Sequence, residues 1–300
     1  MPVKRIRLSF QGIRVQAQIY EPEGEITARA LFVSSPIGDP ASWSALLTNL
    51  SKNGVLCVSA DLPGFGANPV SPKVPQDNDT RTRILWGILD EVEWRRGDER
   101  CKWHLIGHGS GAAAVMTMAL YQPDSTLSRV LLNPVVESGQ ASPFHRFLTS
   151  SAGEPILNAL LKHFFTREKP FDRLLARLYG TPRSKERAQA LFKMLQRKGV
   201  LPSLVRHLRE GYLLNDDVYS VNTPIMMIWG ANDRIFGGQI PIKLVKRLPG
   251  AEKHVLNTGH VCMETAPGEI GDYLRGWFAF SEGKAKNVVK KTQTKTPEQK

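Results

Sequence analysis

The run Leu105-Ile106-Gly107-His108-Gly109-Ser110-Gly111-Ala112 passes from an apolar stretch through three alternating glycines into an alanine-rich segment. This pattern reads as a buried strand that turns sharply into a helix. Ser110 could act as a nucleophile, or it could open the following helix with its hydroxyl capping a first-turn amide. His108, two residues earlier, could be an acid or base, but its place before the turn suits a side chain packed beneath it. Cysteine chemistry has no comparable pattern. Cys57, Cys101 and Cys262 are odd in number and scattered, without a CxxC or His-rich spacing, which argues against a disulfide framework and a cysteine-based zinc site. Neither metal nor cofactor is expected, and a reducing cytoplasm is the expected compartment.

A sharp turn needs a sheet to hold it. Alternating apolar residues predict strands at 6–10 and 13–20, joined by a tight turn at Gln11-Gly12. Six short apolar runs follow, at 30–33, 55–60, 103–107, 129–133, 225–230 and 253–257. Interleaved with helical stretches, they predict βα units and a buried parallel sheet, eight strands in all. Apolar residues three and four apart mark helices at 41–53, ending at Gly54, at 80–96, ending at Gly97, and at 268–280 after Pro267. Residues between Asn133 and Ile225 carry no strand signal but four amphipathic segments, at 156–165, 171–179, 184–198 and 203–212. They predict a helical cap over 142–210, inserted into a core formed by 1–141 and 211–282.

The formal net charge is +12, and its placement matters more than its size. Residues 142–210 carry fourteen Lys and Arg against five Asp and Glu, and residues 284–300 carry six Lys and one Glu. The tail, 283–300, is poor in large apolar residues and is expected to be disordered. The basic cap and tail could attract an anionic partner, although solvated outer helix faces would look the same. Nucleic acid is not expected, because no zinc motif, RNP-like strand or helix-turn-helix accompanies the charge. No run of about 18 apolar residues is present to span a bilayer, and the N-terminal MPVKRIRLSF has no uninterrupted apolar core like that of a secretion signal.

From Leu31 to Phe278 the chain resembles the α/β-hydrolase family. The residues that carry the likeness are Ser42-Trp43, Ala60-Asp61-Leu62-Pro63-Gly64-Phe65-Gly66, the Gly107–Gly111 turn, Ile228-Trp229-Gly230-Ala231-Asn232-Asp233, and Gly259-His260 with Glu264 and Pro267. The resemblance implies an eight-stranded, mostly parallel sheet flanked by helices, with an acid at Asp233 and a general base at His260. In this family the turn is a nucleophile elbow with the pattern GxSxG. Aligned on Gly107 and Gly111, the nucleophile position falls on Gly109, and Ser110 stands one residue too late. The family's His-Gly pair and the oxyanion residue after it become Ser34-Ser35-Pro36, and proline has no N–H to donate. A one-residue slip would move the oxyanion role to Ser35 or Ile37.

Glycine at 109 excludes a covalent intermediate formed there. An Asp–His dyad is still a complete base, because the carboxylate orients the ring and leaves the other nitrogen to take a proton. Two functions therefore stay open. One is hydrolysis of a small ester or acyl-type substrate by His260 and Asp233, with Ser110 displaced into service or with no serine at all, the dyad then activating water directly or abstracting a proton in the lyase- or oxygenase-type chemistry that this fold also hosts. The other is an inactive hydrolase relative that binds a ligand or protein. Trp43, Trp229 and the cap's Leu and Phe stripes are candidate pocket walls, and Cys262 and Met263 are expected to be core contacts.

Overall fold

The computed structural model describes residues 3–293 apart from 37, 39, 69–73, 139–142, 181–184, 211–212 and 235–238. Ile37, one of the oxyanion candidates, lies outside the described residues.

Strands β1 (Lys4–Phe10) and β2 (Ile13–Tyr20) form a hairpin whose turn residues Gln11 and Gly12 both have positive φ, 49° and 79°. That is the mirror-image turn whose twist suits two antiparallel strands. Then come β3 (Ala28–Val33), α1 (Ser44–Lys52), β4 (Val55–Ala60), α2 (Asn78–Arg96), β5 (Trp103–His108), α3 (Gly111–Tyr121) and β6 (Thr126–Leu132). An insertion follows, opening with β7 (Glu137–Ser138) and closing with β8 (Leu213–Leu214). Between them lie α4 (Pro143–Leu148), α5 (Glu154–Phe165), α6 (Glu168–Tyr179), α7 (Lys185–Leu195) and α8 (Val200–Glu210). The chain returns to the core through β9 (Ile225–Gly230), α9 (Gln239–Arg247), β10 (Glu252–Leu256), α10 (Cys262–Thr265) and α11 (Pro267–Gln293). The main sheet has the order β1-β2-β4-β3-β5-β6-β9-β10. Only β2 runs against its neighbours; every other pairing from β4 to β10 is parallel.

Every residue of β4, β5 and β6 is buried, as expected of central strands covered by helices on both faces. Trp103 shows how a polar atom is accommodated there: its indole N–H donates to Glu93 Oε1 on α2 at 2.7 Å. The chain steps from β3 outward to β4, then back across β3 to β5, so the order reverses beside β3. In open α/β sheets, ligand sites lie at the carboxyl ends of the strands at such a reversal. Here the two strands there are β3 and β5, with Val33 paired to Gly107.

The insertion differs from the sequence expectation in two ways. It holds five described helices in place of four, and its base is closed by the two-residue strands β7 and β8, paired in parallel. Strands of two residues are too short to leave a periodic trace. Phe165, Phe171, Leu191, Leu195 and Leu204 are buried in the cap, with the Phe171 ring 5.1 Å from Phe192 and 6.1 Å from Phe165.

Helix α11 does not stop near 280 but continues to Gln293, into the first part of the tail expected to lack order; the rest of that tail, 294–300, lies outside the described residues. Lys and Ala are strong helix formers, and an established helix propagates more readily than it starts. Lys284 places its ammonium 4.3 Å from the centre of the Phe280 ring, one turn back.

Candidate active site

The elbow is built from close approaches that only glycine permits. A β-carbon on Gly107 would stand 2.6 Å from Gly111 O, and one on Gly111 would stand 2.5 Å from Val33 O. These glycines let α3 start hard against β3 and β5. Gly109, between them, has φ +57°, the left-handed conformation that side-chain-bearing residues adopt only at some cost. Glycine adopts this conformation without that cost.

Beside Gly109 stands His260. His260 follows β10 and Asp233 follows β9, and the parallel pairing of these strands brings their trailing loops together. His260 Nδ1 lies 2.7 Å from Asp233 Oδ2, with both side chains nearly buried. The ring N–H donates to the carboxylate, which leaves the Nε2 lone pair to accept a proton. A β-carbon on Gly109 would stand 3.5 Å from that Nε2. Asn133, one residue past β6, donates its amide to the same Asp233 oxygen at 3.2 Å. Sequence reasoning missed Asn133; its signal was an asparagine at a strand end, where it tolerates the positive φ of 41° found there.

His108 is packed beneath the elbow. Its Nε2–H donates to the His260 carbonyl at 3.0 Å, and its ring lies 4.9 Å from the His260 ring. Burial, helped by the nearby His260, pushes its pKa down to about 3, so it stays neutral and supports His260 from below.

Ser110 is not brought to His260. Its backbone starts α3, but its hydroxyl makes no capping bond; Oγ lies 2.9 Å from Nε2 of His207, on cap helix α8. The other ring nitrogen, Nδ1, meets Arg81 Nη2 on α2. A guanidinium can only donate, so His207 Nδ1 must accept, Nε2 must carry the hydrogen, and Ser110 Oγ must receive it. In that tautomer His207 cannot draw a proton from Ser110. Burial, reinforced by the Arg81 charge, holds the His207 pKa well below the usual histidine value. Arg81 also donates to Gln76 Oε1 at 2.7 Å. Nothing in the spacing of Arg81, Ser110 and His207 marks this buried cluster, which only the packing of α8 on the core assembles.

The remaining candidates divide. Pro36 is buried in the turn after β3, and Ser35 is half-buried beside Gly109: a β-carbon at 109 would stand 3.0 Å from Ser35 Cβ and 3.5 Å from its Oγ. Ser34 Oγ accepts the indole N–H of Trp43 at 2.8 Å, and Trp43 is fully buried against Phe32. Trp43 is therefore a core residue and not a pocket wall, because its only polar atom is satisfied inside. Trp229 is half-buried on β9 against the core. Cys262 and Met263 are fully buried, and burial pushes the Cys262 thiol up to about 12, which keeps it inert. A separate cavity of about 520 Å³, lined by Arg5, Gln16, Ser59, Asp61 and Met194 among others, includes neither dyad residue.

The cap reaches the dyad's loops directly. Tyr179, at the end of α6, donates its hydroxyl to Glu264 Oε2 at 2.8 Å, and Arg187 on α7 donates to Glu264 Oε1 at 3.2 Å and to Ser42 Oγ at 3.0 Å. Glu264 lies on α10, four residues after His260, so these bonds fasten two cap helices to the helix that follows His260. No group of His, Cys, Asp and Glu among the described residues could hold a metal ion, and no described helix is long and apolar enough to cross a membrane.

Known proteins share this architecture. The family model for the alpha/beta hydrolase family matches residues 30–272. The "Uncharacterized hydrolase YugF" of Bacillus subtilis (strain 168) is 25% identical over 284 residues, covering 89% of this chain and 95% of its own. A 2-hydroxy-6-oxononadienedioate/2-hydroxy-6-oxononatrienedioate hydrolase of Paraburkholderia phymatum is 26% identical over 234 residues, covering 73% and 76% respectively. The crystal structure of 2-hydroxy-6-oxo-6-phenylhexa-2,4-dienoate hydrolase from Rhodococcus sp. strain RHA1 superposes with a TM-score of 0.72 at 18% identity, over 93% of this chain and all of that one. With its sheet order, elbow, paired acid and histidine, and a family match spanning most of its length, this chain belongs to the alpha/beta hydrolase family.

Proposed function

We propose that the protein hydrolyses a small ester or acyl-type substrate, with His260 as general base and Asp233 as its orienting acid. One observation carries the reading: the Asp233-bound imidazole presents Nε2 3.5 Å from where a β-carbon on Gly109 would be. A base buried to this degree and aimed at the turn beside Gly109 is placed to take a proton from an oxygen nucleophile there. That oxygen attacks the acyl carbon as its proton passes to Nε2. The tetrahedral adduct then collapses, the Nε2 proton moves to the leaving group, and the acyl–leaving-group bond breaks.

The oxyanion that forms from the carbonyl oxygen needs donors, and Pro36 removes one amide. Helix α3 begins two residues after Gly109, and its first-turn amides and positive end are suited to that charge. Ser110 enters this reading through its backbone, since its hydroxyl is held by His207.

A second reading keeps the fold and drops the chemistry. Gly109 and Pro36 together remove a nucleophile and an oxyanion donor, which favours a module that binds a small molecule, or an anionic partner through the basic cap. Incubating the purified protein with nitrophenyl esters, thioesters and 2-hydroxy-6-oxo-dienoates separates the two. Hydrolysis products formed by the wild type and not by H260A support the first reading. Specific ligand binding without turnover across the panel supports the second. A cytoplasmic location fits either.

A further inference from the structure

We propose that Ser35 supplies the nucleophilic hydroxyl that the elbow lacks. The inference rests on the hydrolase reading above and names the group that reading leaves open. Ser35 and Gly109 each stand two residues beyond a paired position, Val33 on β3 and Gly107 on β5, so the register sets them side by side at the sheet's reversal. A side chain at 109 would stand 3.0 Å, Cβ to Cβ, from that of Ser35, closer than two side chains ordinarily approach. The two positions thus compete for one space, and this chain fills it from the β3 side.

The hydroxyl also stands on the same side of the turn as the imidazole. Ser35 Oγ and His260 Nε2 each lie 3.5 Å from the same point, the β-carbon position of residue 109. Among the described residues Ser35 Oγ has no hydrogen-bond partner, and the residue is half-buried, open on one side. Ser110, by contrast, is committed to His207. Rotation about the Cα–Cβ bond of Ser35 swings its hydroxyl through staggered wells without moving the backbone. In the step that follows, Ser35 Oγ bonds to the acyl carbon and its proton goes to His260 Nε2. Collapse breaks the bond to the leaving group, which takes that proton, and an acyl-Ser35 ester remains. Water then attacks the ester, giving its proton to His260, and release of the acid returns the proton to Ser35.

The test is intact-mass analysis and peptide mapping of the full chain after a fluorophosphonate probe, alongside turnover of the best substrate from the panel. The proposal expects one adduct, on the peptide containing Ser35, that is absent in S35A and H260A, and a loss of at least about 10²-fold in kcat/KM for S35A. The adduct is read on the unaltered protein, so the outcome does not depend on S35A folding. An adduct on Ser110 overturns the proposal. So does His260-dependent turnover with no adduct, which would leave water as the nucleophile and Ser35 as at most a hydrogen-bond donor, with the hydrolase reading intact. A folded protein with neither adduct nor turnover overturns both.

Discussion

His260 Nε2 lies 3.5 Å from the place where Gly109 would carry a β-carbon, so the imidazole and the turn face each other although the turn carries no side chain there. Restoring the side chain probes that alignment. Gly109→Ser should place a hydroxyl within reach of His260 and create a fluorophosphonate adduct on residue 109. The price in stability should be about 1–2 kcal/mol, from an L-residue at φ +57°, with further crowding against Ser35 Cβ. Removing that crowding in the G109S/S35G double variant should speed labelling of residue 109. A G109S variant that folds but takes no label at residue 109 would show that the elbow does not face the base.

Ser110 should behave as a structural residue. Ser110→Ala deletes the acceptor of the His207 hydrogen and leaves a buried N–H without its partner, which should lower stability by about 1–3 kcal/mol. Its effect on kcat/KM should be far smaller than that of H260A. Denaturant melts and steady-state kinetics on the same preparations check both halves.

The buried histidines set a pH dependence. Burial, with His260 nearby, depresses His108 to about 3, and burial with Arg81 depresses His207 well below its usual value. Unfolded, each takes a proton near its ordinary pKa of about 6.5. Below that pH the unfolded chain binds more protons than the folded one, so stability is complete above about 6.5 and falls as the pH drops. The expected loss is about 1 kcal/mol per histidine between about pH 7 and pH 5.5. Urea melts across that range should show the slope, and His207→Gln should flatten it.

How much of this is legible in the sequence depends on range. The eight strands of the main sheet are readable because six are local apolar runs and two alternate apolar with polar residues, and the turn because its glycines fall within five residues. The pairing of Asp233 with His260 follows from the family resemblance. Asn133 reads only as the end of a strand, since its link to Asp233 spans a hundred residues. His207 sits in an amphipathic segment where a histidine is ordinarily a polar-face residue, and its burial against Arg81 and Ser110 is set by tertiary packing alone. The helical stretch up to Gln293 is not legible because composition argues against a packed core, while helix α11, once started at Pro267, needs little packing to continue.

The bonds from Tyr179 and Arg187 to Glu264 should govern how firmly the cap sits over the dyad. Arg187→Ala removes donors to both Glu264 and Ser42, and the partly exposed pair with Glu264 should contribute about 1 kcal/mol or less. Hydrogen exchange should rise in α7 and in the loop after β10, while the central strands stay protected. Unchanged exchange in α7 would remove the cap from the control of this site.

The central claim is that His260, oriented by Asp233, is the base. The most direct measurement is kcat/KM of H260A and D233N against the wild type on the best substrate, with folding verified by circular dichroism. The account predicts that each variant loses about 10²–10⁴-fold. Turnover retained within a few-fold in H260A would contradict it.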